Sequence, residues 1–168
     1  MIALLVFFAA LNVQSSINTA SSTVNFEIDN FGIKTVKGSF AQLEGEVNFN
    51  PNDPAKSRFS ACVNAATVNT GNRKRDEHLR TDDFFNTDVH PTICFTSTGV
   101  SKTPLGWVAR GQLTLLGTSK EVLIPFTFSD NAIDGQFTIR RLDYGLGANT
   151  GTFTVGDEVR IAVHCVLN

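Results

Sequence analysis

Thr70-Gly-Asn-Arg-Lys-Arg-Asp-Glu-His-Leu-Arg-Thr-Asp-Asp-Phe-Phe85, followed closely by His90-Pro-Thr-Ile-Cys-Phe-Thr-Ser97, is the stretch on which the fold turns. Its first part reads as a short charged helix from Asn72 to about Arg80. Thr70 and Asn72 can cap the N-terminus. Arg73 with Glu77 and Asp76 with Arg80 fall at the i,i+4 spacing that brings opposite charges together. Leu79 is its buried anchor, and Phe84 and Phe85 turn the chain back toward a core. The second part, with Ile93 and Phe95 in one phase, is strand-like. A lone charged helix set between strands reads as a plug or rim on a β-barrel.

Outward from it the dominant period is two. Val24, Phe26 and Ile28 alternate with polar residues, as do Leu43, Gly45, Val47 and Phe49, and then Phe59, Ala61, Val63 and Ala65. The same holds for Trp107 to Leu115, Val122 to Phe128, Phe137 with Ile139, and Ile161 to Leu167. Such alternation marks half-buried antiparallel strands. Turn signals separate the runs at Asn50–Pro54, Lys102–Gly106, Asp130–Gly135 and Gly156-Asp157, the spacing of a sandwich or barrel. Glycines within strands supply the bends that a closing sheet needs. About eight strands enclose room for one small ligand. The expected fold class is therefore all-β: a single extended, lipocalin-like antiparallel barrel of about eight strands with a short helix near residues 72–80.

A chain of 168 residues allows one domain with a real core. An apolar fraction of 42% and a formal charge of −2 argue against disorder and against a nucleic-acid binder, with a local basic patch at Arg73, Lys74 and Arg75 left open. Ile2 to Leu11 is an unbroken apolar run, and the first charged side chain is Glu27. The run is too short to span a bilayer, which needs roughly 20 residues, and it fits the core of a secretory signal peptide cleaved after Ser15, although no Lys or Arg precedes it. The expected organisation is a leader over 1–15 and a barrel over 16–168, with a periplasmic or secreted location. Cys62, Cys94 and Cys165 form an odd set with no metal-ligand spacing. If their strands were neighbours, Cys62 and Cys94 would meet on one face; the expected reading is three small buried or half-buried hydrophobes.

Several blocks, in order, resemble the YceI-like family. Ile17-Asn-Thr-Ala-Ser-Ser-Thr-Val-Asn-Phe26 is similar to its opening I-D-x-x-H-S-x-V-x-F, departing at Asn18 and Ser21. Gly32 to Phe40 resembles G-x-x-x-V-x-G-x-F. Thr70-Gly71, Arg75-Asp76-x-His78-Leu79, Phe84-Phe85 and Pro91-x-Ile93-x-Phe95-x-Ser97 carry the most specific part. Gly111 to Lys120 resembles G-x-L-T-x-x-G-x-T/S-K, and Arg141-Leu-Asp-Tyr-Gly145 the R-x-D-[FY]-G block. The resemblance implies an extended barrel, export to the periplasm, and a tunnel for a long apolar chain such as a polyisoprenoid.

Fourteen phenylalanines, against one Trp and one Tyr, bring apolar area without polar atoms to satisfy. Composition alone does not separate a hollow barrel from a solid one; the resemblance favours the hollow one. The expected tunnel lining is Phe26, Val47, Phe49, Phe59, Val63, Phe95, Leu113, Leu115, Ile124, Phe126, Phe137, Ile139 and Ile161. A one-residue slip in phase would turn all of them outward. Arg75, Asp76 and His78, with Arg141 and Asp143, are expected to form a polar cluster at the mouth that orients a head group or pins the helix. The expected partner is a long isoprenoid or other amphiphilic lipid, with transient contact to a membrane or membrane protein, or a homodimer, left open. No nucleic-acid partner, cofactor or metal is expected. His78, His90, Asp82 and Asp88 read as solvated rather than ligating, Gly145 to Gly151 lacks the nucleotide-loop spacing, and no nucleophile or metal motif is present. An enzyme is therefore not expected. The competing reading is a stress-related protein-interaction module with a filled barrel.

Overall fold

The computed structural model describes residues 15–168; the expected leader, Ser15 apart, lies outside them. Ten strands build one curled antiparallel sheet. They are β1 (Ser15–Ser16), β2 (Thr23–Asn30), β3 (Lys34–Phe40), β4 (Glu44–Asn48), β5 (Arg58–Asn64), β6 (Thr92–Thr103), β7 (Gly106–Leu115), β8 (Thr118–Ser129), β9 (Ala132–Arg140) and β10 (Val155–Val166). Their order is β1-β4-β5-β6-β7-β8-β9-β10-β2-β3. The strands from β4 to β10 follow one another as a meander, and the β2–β3 hairpin then pairs with β10. Residues 15–18 stitch the curl together. Ser15 and Ser16 pair with Val47 and Glu46, Ile17 bridges Leu167, and the Asn18 N–H donates to the Val166 carbonyl at 2.8 Å.

β1 and β3 are the two strands the alternating runs do not display. β1 is only two residues long. In β3 the inward phase is Val36, Gly38 and Phe40, so the glycine hides the apolar period. Gly38 stands opposite Phe26, and a Cβ there would lie 2.3 Å from the Phe26 ring. Gly111 likewise has the Phe95 ring 2.6 Å from where its Cβ would be. The ring tips of both phenylalanines thus lie over bare backbone, in room that a side chain at the glycine would fill.

The register fixes two ends. Asn30, Lys34 and Val155 meet at one, whereas Trp107, Phe126, Ala132 and Val166 lie toward the other. β8 stays beside β9 only from Phe126 to Ser129 and continues beside β7 alone. Pro125 sits where that ladder stops, a place suited to a residue without an N–H.

Helix α1 (Arg73–Leu79) forms as the sequence reading expects, but its polar contacts differ. The Asn72 side chain caps it by accepting from the Arg75 N–H at 3.1 Å. Arg73 pairs with Glu77 at 3.4 Å. Asp76 does not pair with Arg80. Arg80 donates to the Ala66 and Val68 carbonyls at 2.7 and 3.0 Å, tying α1 to the turn after β5. Phe85 is buried edge-on against Phe40.

The cysteine expectation needs correction. β5 and β6 are neighbours, Cys62 stands opposite Cys94, and the two are joined by a disulfide. Both were correctly placed off the inward phase; what the sequence withheld was the adjacency of the strands. Cys165 is free and faces inward, where burial pushes its thiol up to about 11.

Candidate functional site

The curled sheet surrounds an apolar cavity of about 450 Å³, within the range of small-molecule sites. Every strand from β2 to β10 contributes its inward phase. The expected lining residues stand on this wall, Phe26, Val47, Phe59, Val63, Phe95, Leu113, Leu115, Ile124, Phe126, Phe137, Ile139 and Ile161 among them. Of the two phases the alternation leaves open, this is the one that faces the cavity.

Phe49 is the exception. It lies beyond the cavity, in an edge-to-face cluster with Phe59, Trp107, Phe126 and Phe128 at centroid distances of 5.1–6.0 Å. Five rings stop the barrel at this end. They pack there because β5, β7, β8 and the residue just after β4 all bring an aromatic ring to the same level. Trp107 Nε1–H is buried among them with no acceptor among the described residues.

The other end carries the polar residues of the wall: Asn30, Thr70, Arg75, His78, Thr150 and Thr154. Arg75 is half-buried. Its Nε donates to Thr70 Oγ1 at 2.7 Å and its Nη2 to the Thr70 carbonyl at 3.0 Å. These bonds hold the guanidinium at the rim and leave Nη1 without a bond to the described residues. His78 Nε2 lies 2.9 Å from Asp83 Oδ2, with its ring edge-on to Phe84 at 5.1 Å.

The five residues expected as one mouth cluster separate into different roles. Arg75 and His78 reach the cavity. Asp76 is buried behind them, accepting from the Thr70 N–H at 2.9 Å and from the Thr70 hydroxyl, so it braces the turn before α1. Asp143 is exposed and absent from the wall. Arg141 borders the cavity but has no donor to spare. At 1% exposure, its guanidinium donates to the carbonyls of Gly156, Leu146, Gly147, Thr150 and Val155 at 2.7–2.9 Å. A guanidinium has five N–H groups, and all five are used. Burial lowers the Arg141 pKa from its ordinary value, and Asp157 opposes that shift. Its role is to fold the segment from Arg141 to Gly156 over the barrel end. Repetition of arginine at 140 and 141 concealed this: Arg140 turns outward to Asp157 at 2.7 Å, and only the backbone path tells the two apart.

Sequence reasoning also missed Thr70, Thr150, Thr154 and Asn30 as rim residues, since single polar residues in turns carry no pattern. The inward glycines were legible as bends but not as the partners of Phe26 and Phe95. Among the described residues there is no group of three or more His, Cys, Asp or Glu side chains placed to hold a metal ion.

Comparison with known proteins places this architecture. A "UPF0312 protein" of Ectopseudomonas mendocina is 38% identical over 151 residues, covering 83% of this chain and 79% of that protein. The Photorhabdus laumondii UPF0312 protein plu2095 is 33% identical over 68% of this chain and 60% of its own length. Protein YceI of Escherichia coli is 37% identical over 60% of this chain and 53% of its own length. The chain thus matches about half to four-fifths of these relatives. Among solved structures, Burkholderia cenocepacia BcnA superposes with a TM-score of 0.83 at 24% identity, covering 89% of this chain and 98% of that one. A polyisoprenoid binding domain from Saccharophagus degradans does so with a TM-score of 0.69 at 17% identity, covering 90% and 95%. The family model described as "YceI-like domain" matches residues 16–167, and the chain belongs to that family.

Proposed function

We propose that this protein binds one amphiphilic lipid, its isoprenoid or similar chain in the cavity and its head group at the Arg75 rim, and carries it through an oxidising extracytoplasmic compartment. The observation that carries the reading is the cavity itself: apolar along its length, closed by aromatic rings at one end and polar at the other. Each methylene withdrawn from water contributes roughly 0.8 kcal/mol, so a tail needs no specific partner inside. The unspent Nη1 of Arg75 gives the head group a donor. The polyisoprenoid binding domain of Saccharophagus degradans has the same fold, which supports an isoprenoid over a compact ligand. The open cavity favours a carrier over a filled interaction module, and binding without turnover is the reading adopted here. The Cys62–Cys94 bridge fits the periplasm or the exterior, where disulfides persist.

Native mass spectrometry of protein purified from its own host tests the proposal. The expected result is a retained lipid mass that organic extraction removes and a prenyl quinone or polyprenyl phosphate restores. A chain that is empty as isolated and takes up neither probe would refute it.

A further inference from the structure

Two loops flank the polar end of the cavity, and their tips are apolar. The β2–β3 turn places Phe31 and Ile33 in solvent, 52% and 88% exposed, and the segment before β10 does the same with Phe153, 80% exposed. The loops are joined. The Phe31 N–H donates to the Thr154 carbonyl at 3.1 Å, and the Phe31 and Phe153 rings meet edge-on at 6.4 Å. Phe31 is held at φ +52°, a region that a bulky side chain seldom adopts. Its backbone neighbours, Asn30 on one loop and Thr154 on the other, line the cavity. The apolar tips are therefore direct chain neighbours of cavity-wall residues, Phe31 of Asn30 and Phe153 of Thr154.

We infer that Phe31, Ile33 and Phe153 form a membrane-docking tip that inserts into the interfacial layer of a bilayer and sets the cavity mouth against it. A second protein would need a surface to match these knobs; a bilayer accepts protruding apolar side chains without shape complementarity. Composition points the same way. From Tyr144 to Gly156 the chain has no Asp, Glu, Lys, Arg or His, and Asn30 to Ile33 is uncharged and followed by Lys34. Little charge would be desolvated on insertion, and a lysine beside the tip suits anionic head groups. The inference rests on the carrier reading for its purpose: a water-insoluble ligand has to pass directly between bilayer and cavity.

The test is co-sedimentation of the full chain with vesicles of phosphatidylethanolamine and phosphatidylglycerol. The variant carries Phe31→Ser, Ile33→Ser and Phe153→Ser together. The control is Leu105→Ser, which removes a side chain 92% exposed on the β6–β7 turn at the opposite end. The expected result is vesicle binding by the parent and by the control, and at least a tenfold weaker partition for the triple variant with its melting temperature preserved. Equal binding by the triple variant, equal loss in the control, or no binding by the parent would overturn the docking tip. Each sample is also examined for retained lipid. Lipid retained by a parent that ignores vesicles defeats the tip alone, whereas an empty protein that still docks through these residues defeats the carrier reading alone.

Discussion

Arg141 shows what one side chain does when every donor is committed. Its contacts join the turn after β9 to the start of β10 and close the segment between them. Arg141→Ala would leave buried carbonyls unpaired, at a cost of about 3 kcal/mol or more. For a domain of this size that is a fall in melting temperature of roughly 6–12 °C. Arg141→Lys is expected to recover little of it, because an ammonium has three donors and no planar fork. Thermal denaturation of both variants checks this; a lysine variant as stable as the parent would contradict the five-bond reading. Cys165 gives a pH dependence. Burial raises its thiol from an ordinary 9.0 to about 11. The folded state then holds its proton where the unfolded state has lost it, so stability is full below about pH 9 and falls between pH 9 and 11. The loss amounts to roughly 1–3 kcal/mol. Urea titrations at pH 8 and pH 10.5 should show it in the parent and not in Cys165→Val; parallel losses would place its origin elsewhere.

The β5–β6 pair carries the covalent link at the scale of an element. The two cysteines are 32 residues apart, and closing a loop of that length in the unfolded chain is worth about 3–4 kcal/mol on entropic grounds. Cys62→Ser with Cys94→Ser should lower stability by up to that amount. Because both side chains lie off the inward phase, lipid retention should persist at temperatures where the variant is folded. Urea denaturation with and without reductant, followed by mass spectrometry, reads both. Loss of ligand from the folded variant would mean that the bridge shapes the cavity. This pair also marks where the sequence stopped being legible. Period-two runs mark most of the strands, because alternation is a local property, but they leave open which phase faces inward. Pairing of β5 with β6 is not local, since α1 intervenes between them. β3 was recognised only by resemblance, its apolar rhythm broken by Gly38. α1 was read correctly in place and cap, but the partners of Asp76 and Arg80 lie outside the helix and left no trace in the i,i+4 pattern.

For the whole molecule the deciding property is hollowness, which the sequence does not contain. The same alternating phenylalanines could fill a barrel or line one. What separates the two is where the rings lie: over glycine for Phe26 and Phe95, gathered at one end for Phe49, Phe59, Phe126 and Phe128. The family resemblance supplied this answer, and the cavity wall agrees with the expected residues except at Phe49 and in the divided polar cluster. If the void is functional, filling it should abolish binding without harming the fold. Ala61 on β5 and Ile161 on β10 both face the cavity and are only half-buried, so their accessible surface looks into the void. Ala61→Trp together with Ile161→Trp would occupy space now open, adding apolar contact instead of the strain that overpacking brings to a filled core. The melting temperature should hold or rise, while retained lipid disappears and affinity for a prenyl quinone falls at least tenfold. Should the double variant melt well below the parent, the interior has less room than its outline suggests. Should it stay stable and still bind with the parent's affinity, the ligand resides somewhere other than inside the barrel.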